Sequence, residues 1–322
     1  MKEIKVTKND SGQRIDRFLS KSFPLGQGQI CKLARKNCIK LNGKKCKPDT
    51  HIAENDIIKL FIPDEMLIPK AKSDPDDFTG VSDKIDIVYE DENILLADKP
   101  VGMVVHEDES GDSDTLINRI KSYLYHKGEY HPENELSFAP ALCNRIDRNT
   151  CGIVIAAKNA ESLRILNQKI RDRELTKLYL CIACGKVTPD SATLTAYLEK
   201  NSDTNTVKIS DKKTKSNLTI KTKYKVIAYN GENSLLKVDL LTGRTHQIRA
   251  HLAYIGHALL GDGKYGNNKL NKKYGFKYQA LCSYELQFKF TTDAGCLSYL
   301  DGKCFKAKAP DFVKMFGGNI NL

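Results

Sequence analysis

The run Leu241-Thr242-Gly243-Arg244-Thr245-His246-Gln247-Ile248-Arg249-Ala250-His251 decides how the second half of this chain is built. A strand is expected to end at Leu241, Gly243 permits the turn, and Thr245 can cap a helix running to about Ile255. Ile248, Leu252 and Ile255 bury one side of that helix and Gly256 ends it, leaving Arg249 to point from the first turns toward a cleft. Outward from this run, strands are expected at 218–227 and 235–241, and further upstream at 85–89, 93–98, 152–157 and 178–183. A helix capped by Asn159, with Leu163, Leu166 and Ile170 on one stripe, separates the last two. Strand-rich runs broken by few helices predict a mixed α+β domain rather than a doubly wound parallel sheet. No GxGxxG, Walker-type loop or HExxH occurs, which sets aside the common nucleotide-binding and zinc-protease readings.

Composition shifts between about Pro63 and Lys84, where Pro63, Pro69, Pro75 and clustered aspartates favour an extended, solvated linker. The expected organisation is a unit at 1–65, a linker at 66–84 and a larger unit at 85–322. In the first unit, helices open near Arg14 and run over about Gln29–Lys36. A strand at 39–41 enters an Asn42-Gly43 hairpin turn, and residues 55–60 close the unit as a strand. Residues 1–65 carry eleven Lys and three Arg against eight acidic residues, +6 of the chain's +11, which favours a polyanionic partner, nucleic acid before membrane. The N-terminus is too polar for a signal peptide, no apolar stretch approaches membrane-spanning length, and ten scattered cysteines read as reduced thiols in a cytoplasm. This small α/β pattern, with cations at Lys32, Arg35, Lys36 and Lys40, resembles the S-four-type RNA-binding domain.

Three segments of the second unit concentrate polar groups at element ends. Asn144-Arg145-Ile146-Asp147-Arg148-Asn149-Thr150-Cys151-Gly152 is a polar loop pressed against the apolar strand that follows it. Flanking arginines favour a charged Asp147 carboxylate, which suits a nucleophile. From these residues alone an ordinary capping aspartate in a salt-bridged loop is the simpler reading. In Lys177-Leu178-Tyr179-Leu180, period two puts Lys177 and Tyr179 on one face and the leucines toward the core. Tyr179 could stack on a nucleobase, or pack as an ordinary interfacial tyrosine. Cys181 and Cys184 fall on opposite faces of a strand and read as core thiols. His246 and His251, five apart and without a third ligand nearby, make a poor metal site.

Together these segments resemble the RluA-type pseudouridine synthases, in order from about residue 85 to 312. Lys99-Pro100-Val101-Gly102 followed by Val105-His106 is similar to the family's Lys-Pro-x-Gly…Val-His segment, and Asn144–Gly152 to its His-Arg-Leu-Asp-x-x-Thr-Ser-Gly signature. Lys177-Leu178-Tyr179 matches Lys-x-Tyr. Thr242–His251 followed by Gly261-Asp262 and Tyr265-Gly266 matches the long Thr-Gly-Arg-x-His-Gln-x-Arg-x-His…Gly-Asp-x-x-Tyr-Gly block. The chain departs from the pattern at Asn144 in place of His, at Cys151 in place of Ser, and at Leu281-Cys282-Ser283 in place of Leu-His-Ala.

The resemblance implies a mainly antiparallel mixed sheet with flanking helices, and isomerisation of uridine to pseudouridine in structured RNA. Large-subunit ribosomal RNA is the first expectation for the substrate and transfer RNA the second. It implies Asp147 as nucleophile, Tyr179 packed on the target base, Arg249 paired with the Asp147 carboxylate, and Arg145 filling the gap left by a flipped uridine. Arg244 and His246 are expected to face the RNA, and Asn144 to alter contact near the flipped nucleotide. Breaking a carbon–nitrogen bond and rejoining the base through carbon needs no cofactor, metal or energy source, and a monomer is expected. Two rivals stand beside this reading: a non-catalytic RNA-binding protein, which intact Asp147, Tyr179 and Arg249 argue against, and a metal-dependent RNA hydrolase, which lacks ligands.

Overall fold

The computed structural model describes residues 1–68, 78, 80–107, 111, 113–201, 206–317, 320 and 322. The N-terminal residues build a sheet of their own. β1 (Lys2–Lys5) is followed by helices α1 (Ile15–Ser22) and α2 (Gln27–Arg35), then β2 (Ile39–Leu41), β3 (Lys44–Lys45) and β4 (Ile57–Leu60), in sheet order β1-β4-β2-β3. Asn42 and Gly43 both take left-handed backbone (φ 49° and 76°), as the two central positions of a tight hairpin require. Ile4, Phe18, Leu19, Ile30 and Ile58 meet in a separate small core. β1 was absent from the sequence reading because four residues with a single buried side chain, Ile4, carry no periodicity.

The larger unit follows. β5 (Ile87–Glu90), β6 (Ile94–Lys99), α3 (Leu116–His126), β7 (Ala141–Leu142), β8 (Cys151–Ala157) and α4 (Ala160–Arg171) come first. Then come β9 (Leu175–Cys184), β10 (Ser191–Asn201), β11 (Thr206–Ser210), β12 (Leu218–Tyr229), β13 (Asn233–Asp239), α5 (Gln247–Tyr254), α6 (Asn268–Lys273), β14 (Leu281–Phe288) and β15 (Cys304–Lys306). The eleven-stranded sheet has the order β11-β10-β12-β13-β9-β14-β8-β6-β5, with β15 beside β14 and β7 beside β8. Among the described pairings β8 and β14 run parallel and the others antiparallel. The fold is α+β with a mixed, mainly antiparallel sheet.

Helices cover both faces of the sheet. Leu116, Ile120 and Leu124 of α3 and Ile248 and Leu252 of α5 pack on one side with Val154, Tyr179 and Val238. Leu166 of α4 packs on the other with Ile153, Ile155 and Phe288. Strands buried on both faces lose the alternation that a half-exposed strand shows, so Tyr179 and Leu180 are both buried, on opposite sides. This corrects the expectation that only the leucines of this strand face a core. Asn159 caps α4 as expected, accepting from Ser162 N at 2.8 Å. Cys181 and Cys184 pack into clusters on opposite faces.

The stretch expected as a linker lies partly outside the described residues, at 69–77 and 79. Its described members are not solvated throughout: Leu67 joins the small core, and Phe78 is buried against Tyr125 and Tyr130. The two units touch through polar contacts. Gln13 Nε2 donates to Ser137 Oγ (2.8 Å), which donates to Asp10 Oδ1 (2.6 Å), and Arg164 Nη1 of α4 donates to the Ser11 carbonyl (2.9 Å).

Candidate active site

Asp147 stands in the turn that delivers the chain into β8, with Thr150 N donating to its carbonyl at 3.0 Å. The sheet fixes this turn by an unusually close approach. Gly152 has φ 104°, and a Cβ there would overlap the Ser283 carbonyl of β14, so only glycine fits. Beneath the turn, Lys99 is fully buried and donates to the carbonyls of Pro100 (2.8 Å), Met103 (2.8 Å) and Arg148 (2.9 Å). Burial pushes its ammonium down to about 8.

The cation that meets Asp147 comes from a distant helix, not from the flanking arginines. Arg249 Nη1 donates to Asp147 Oδ2 at 2.7 Å. The rest of the guanidinium is held by Asp262, which is wholly buried and accepts from Nε (2.7 Å) and Nη2 (2.9 Å). Burial opposes the charge on Asp262, but the Arg249 hydrogen bonds and charge outweigh it, and the carboxyl sits below its usual range. Backbone amides of Lys264 and Tyr265 also donate to Asp262 Oδ1, at 2.9 and 3.1 Å. The planar fork thus has one carboxylate as a fixed anchor and offers its remaining edge to the other. Both the Arg249 hydrogen bond and the nearest approach of His246 fall on Oδ2 of Asp147.

The start of α5 differs from the expected Thr245 cap. His246 is the N-cap, in left-handed backbone (φ 52°), and no side chain caps the helix. Gln247 does the anchoring instead. Its Oε1 accepts from Arg244 N (3.1 Å) and Thr242 Oγ1 (2.8 Å), while its Nε2 donates to the Lys221 carbonyl and Thr222 Oγ1, both at 3.0 Å. His251 is buried against Thr222, with Nδ1 2.9 Å from Oγ1, and burial pushes it down to about 4. The imidazole of His246 lies 4.0 Å from Asp147 Oδ2, with Nδ1 2.9 Å from Tyr265 Oη, and that same oxygen accepts from Val207 N of β11 at 2.8 Å.

Asp147 opens on a cleft of about 790 Å³, within the usual range of ligand sites. Tyr179, His246 and Arg249 line it, together with Arg145, Arg148, Lys177, Lys200, Arg244 and Lys264. Against these cations the lining acids among the described residues are Asp147 and Glu107. Arg145 and Arg244 are exposed at its mouth. Tyr179 is 6 % exposed, and burial raises its phenol to about 12, so it remains a neutral donor at ordinary pH. Asn144 lines the cleft too, but its Oδ1 accepts from Ile155 N (2.8 Å), so it serves as a strand-edge partner. Sequence reasoning gave no role to Lys99, Asp262 or Tyr265. Lys99 and the Asp262…Tyr265 pair stood in the quoted motifs, but only the fold shows what they hold.

The basic residues of the first unit form a separate group. Lys32 and Arg35 are exposed on α2 and Lys36 at its C-cap, and Lys40 lies over the Phe61 ring at 5.3 Å. Strand register sets Lys40 opposite both Lys45 and Lys59, a row of three lysines across β3, β2 and β4 that ends on β1 at Glu3, 3.1 Å from the Lys59 ammonium. Like charges directly opposite are unfavourable in a sheet, so this row suits a polyanionic partner better than a bare surface. Lys45 and Lys59 were not singled out in the sequence because only the pairing aligns them.

Comparison with known proteins agrees with this geometry. Residues 93–254 match the RNA pseudouridylate synthase family. A Mycoplasma genitalium protein named as an uncharacterised RNA pseudouridine synthase is 35% identical over 88% of both chains. The ribosomal large subunit pseudouridine synthase D of Borreliella burgdorferi is 32% identical over 81% of this chain and 78% of its own. The synthase C of Vibrio vulnificus is 30% identical over 83% and 81%. In three dimensions the fold is similar to human RNA pseudouridylate synthase domain containing 4, with a TM-score of 0.56 and 18% identity over 71% of this chain and 90% of that one. A basic cleft built around one clamped aspartate, on this sheet and with these relatives, leads to one assignment: the chain belongs to the RNA pseudouridine synthases.

Proposed function

We propose that the protein isomerises uridines in a structured loop of large-subunit ribosomal RNA, with Asp147 as nucleophile and the target base turned out of its stack into the cleft. One observation carries the reading. The Asp147 carboxylate, with one oxygen held by Arg249, lines the same cation-rich cleft as Tyr179.

In this reaction the bond between N1 and C1′ breaks, the uracil rotates, and a bond forms between C5 and C1′. C5 gives up its proton and N1 gains one, so no electrons enter or leave. Asp147 supplies the anionic group at the reacting centre, and the Asp262-anchored Arg249 keeps it there without rearrangement during the reaction. Tyr179 borders the base and offers a neutral hydroxyl. Everting a nucleotide costs a few kcal/mol, which phosphate contacts at Arg145, Lys200, Arg244 and the first unit can offset, each adding about 0.7 to the salt slope on a single strand. Loops suit the task because their bases are already unstacked. The S-four-like first unit, with its lysine row and α2 cations, would hold the flanking RNA. The large-subunit relatives, named for the ribosomal large subunit, favour ribosomal over transfer RNA as substrate.

The test is incubation of the purified protein with ribosomal and transfer RNA transcribed without pseudouridine, in chelator. Pseudouridine should appear in large-subunit RNA. Asp147→Asn should abolish it while RNA affinity stays within a few-fold of wild type. Turnover near wild type in that variant would remove Asp147 from the reaction, and modification of transfer RNA alone would replace the substrate.

A further inference from the structure

Cys151 opens β8 and Cys282 lies second in β14, and the two are register partners across the parallel pairing. Paired positions on neighbouring strands are about 4.8 Å apart, inside the 4.4–6.8 Å window of Cα separations that a disulfide spans. Their side chains share a face. Both pack in the cluster of Leu180 and Tyr284, on the side of the sheet away from the cleft, whereas Tyr179, Cys181 and Leu281 pack on the cleft side. The close approach at Gly152 and Ser283 presses the strands together one residue further along. Cys151 Sγ also donates to the carbonyl of Leu281, the neighbour of Cys282, at 3.7 Å. Cys282 is buried and Cys151 half-buried, so a reagent the size of water reaches one thiol first.

We propose that Cys151 and Cys282 are a covalent modification site, a dithiol that a peroxide closes to a reversible cross-strand disulfide. The Cys151 thiolate attacks the peroxide, breaking the O–O bond, releasing one water and leaving a sulfenic acid. The Cys282 thiol then attacks that sulfur, forming the S–S bond and releasing a second water. Two thiols are oxidised and one peroxide is reduced. The order of attack follows from the surroundings. The hydrogen bond from the Cys282 thiol draws the Cys151 thiol below its usual range against the pull of burial, with the buried Lys99 ammonium adding to it. The buried Cys282 is reached only through Cys151, so it acts second.

The bond has a route to the catalytic turn. Cys151 is four residues beyond Asp147 and Thr150 N is bonded to the Asp147 carbonyl, while Gln279 Nε2, just before β14, donates to Thr150 Oγ1 at 3.3 Å. Drawing the two sulfurs into a bond pulls on this turn, and a misplacement of about 1 Å in a reacting group can lower a rate about 10²-fold. This consequence for activity rests on the proposed role of Asp147; the disulfide itself does not.

The experiment treats the full-length protein with hydrogen peroxide and maps tryptic peptides without reduction. The peptides 149–158 and 278–289 each hold a single cysteine, Cys151 and Cys282. They should appear as one linked species, and pseudouridine formation should fall tenfold or more and return with dithiothreitol. Cys151→Ser should fold with an unchanged melting temperature, keep the reduced enzyme's activity, and resist peroxide. Absence of the linked peptide under conditions that oxidise Cys151, or a linked protein with undiminished activity, would overturn the proposal. A reduced protein that makes no pseudouridine would instead sink the functional reading, leaving the peptide map to decide the disulfide alone.

Discussion

Asp262→Asn should disable the enzyme without touching the cleft. Asp262 is fully buried and takes two of the three hydrogen bonds that fix the Arg249 guanidinium, plus two backbone amides. Removing one member of a buried pair costs about 3–5 kcal/mol when the remaining charge is left uncompensated. Here Arg249 keeps Asp147, and asparagine retains one acceptor oxygen, so the lower end, about 3 kcal/mol, is expected. At about 2 °C per kcal/mol for a chain of this size the melting temperature should drop by about 6 °C. The pH dependence carries a sign. The Asp262 carboxyl is held below its unfolded value, so the native state binds fewer protons, and the stabilisation is full above about pH 4 and disappears as pH falls through the lower folded value. The asparagine variant lacks that acid loss, and its stability should vary less from pH 4 downward. With its anchor weakened, Arg249 holds the Asp147 oxygen in a less fixed position, and single-turnover pseudouridine formation should fall about 10- to 100-fold. Thermal unfolding across pH and a saturating-enzyme rate measurement check both halves. A variant that melts within 1 °C of wild type and turns over at the wild-type rate would refute the idea that Asp262 holds the Arg249 guanidinium.

Other outcomes follow from the same geometry. His251 is buried neutral with its pKa pushed down to about 4, so the unfolded chain binds the extra proton and stability should decline as pH drops from about 6.5 to 4; in His251→Gln, urea unfolding at both ends of that range should show a flatter profile. Replacing Lys40, Lys45 and Lys59 together by alanine should weaken RNA binding and lower the salt slope by as much as about 2, at about 0.7 per lost single-strand phosphate contact. An unchanged slope in a filter-binding titration would mean that the lysine row touches no phosphate.

Much of the site could be read in the chain before it was folded. Asp147, Tyr179 and Arg249 were singled out in three separate segments, and all three line the same cleft. The polar loop before an apolar strand, the glycine turn before an amphipathic helix and the Asn42-Gly43 hairpin are local signals, because they depend on backbone preferences within a few residues. Local preference also misplaced things. Thr245 is a good capping residue by type, yet His246 takes the cap position because Gln247 is tied to β12 by Lys221 and Thr222, contacts that sequence spacing does not reveal. The two-sided burial of β9 hid the alternation on which its face assignment depended.

By itself the sequence determined the types of the elements it located, the basic first unit and the residues able to carry the proposed chemistry, since these follow from short-range propensity, charge and motif spacing. Tertiary structure alone decided which groups act on one another. Asp147 lies between two arginines in the chain, but its ion pair is with Arg249, 102 positions away, and that guanidinium is in turn set by a buried carboxylate further on. Ion pairs, lysine rows and paired cysteines depend on distances of a few ångströms between segments separated in the chain, and the strand orders of the two sheets supply them.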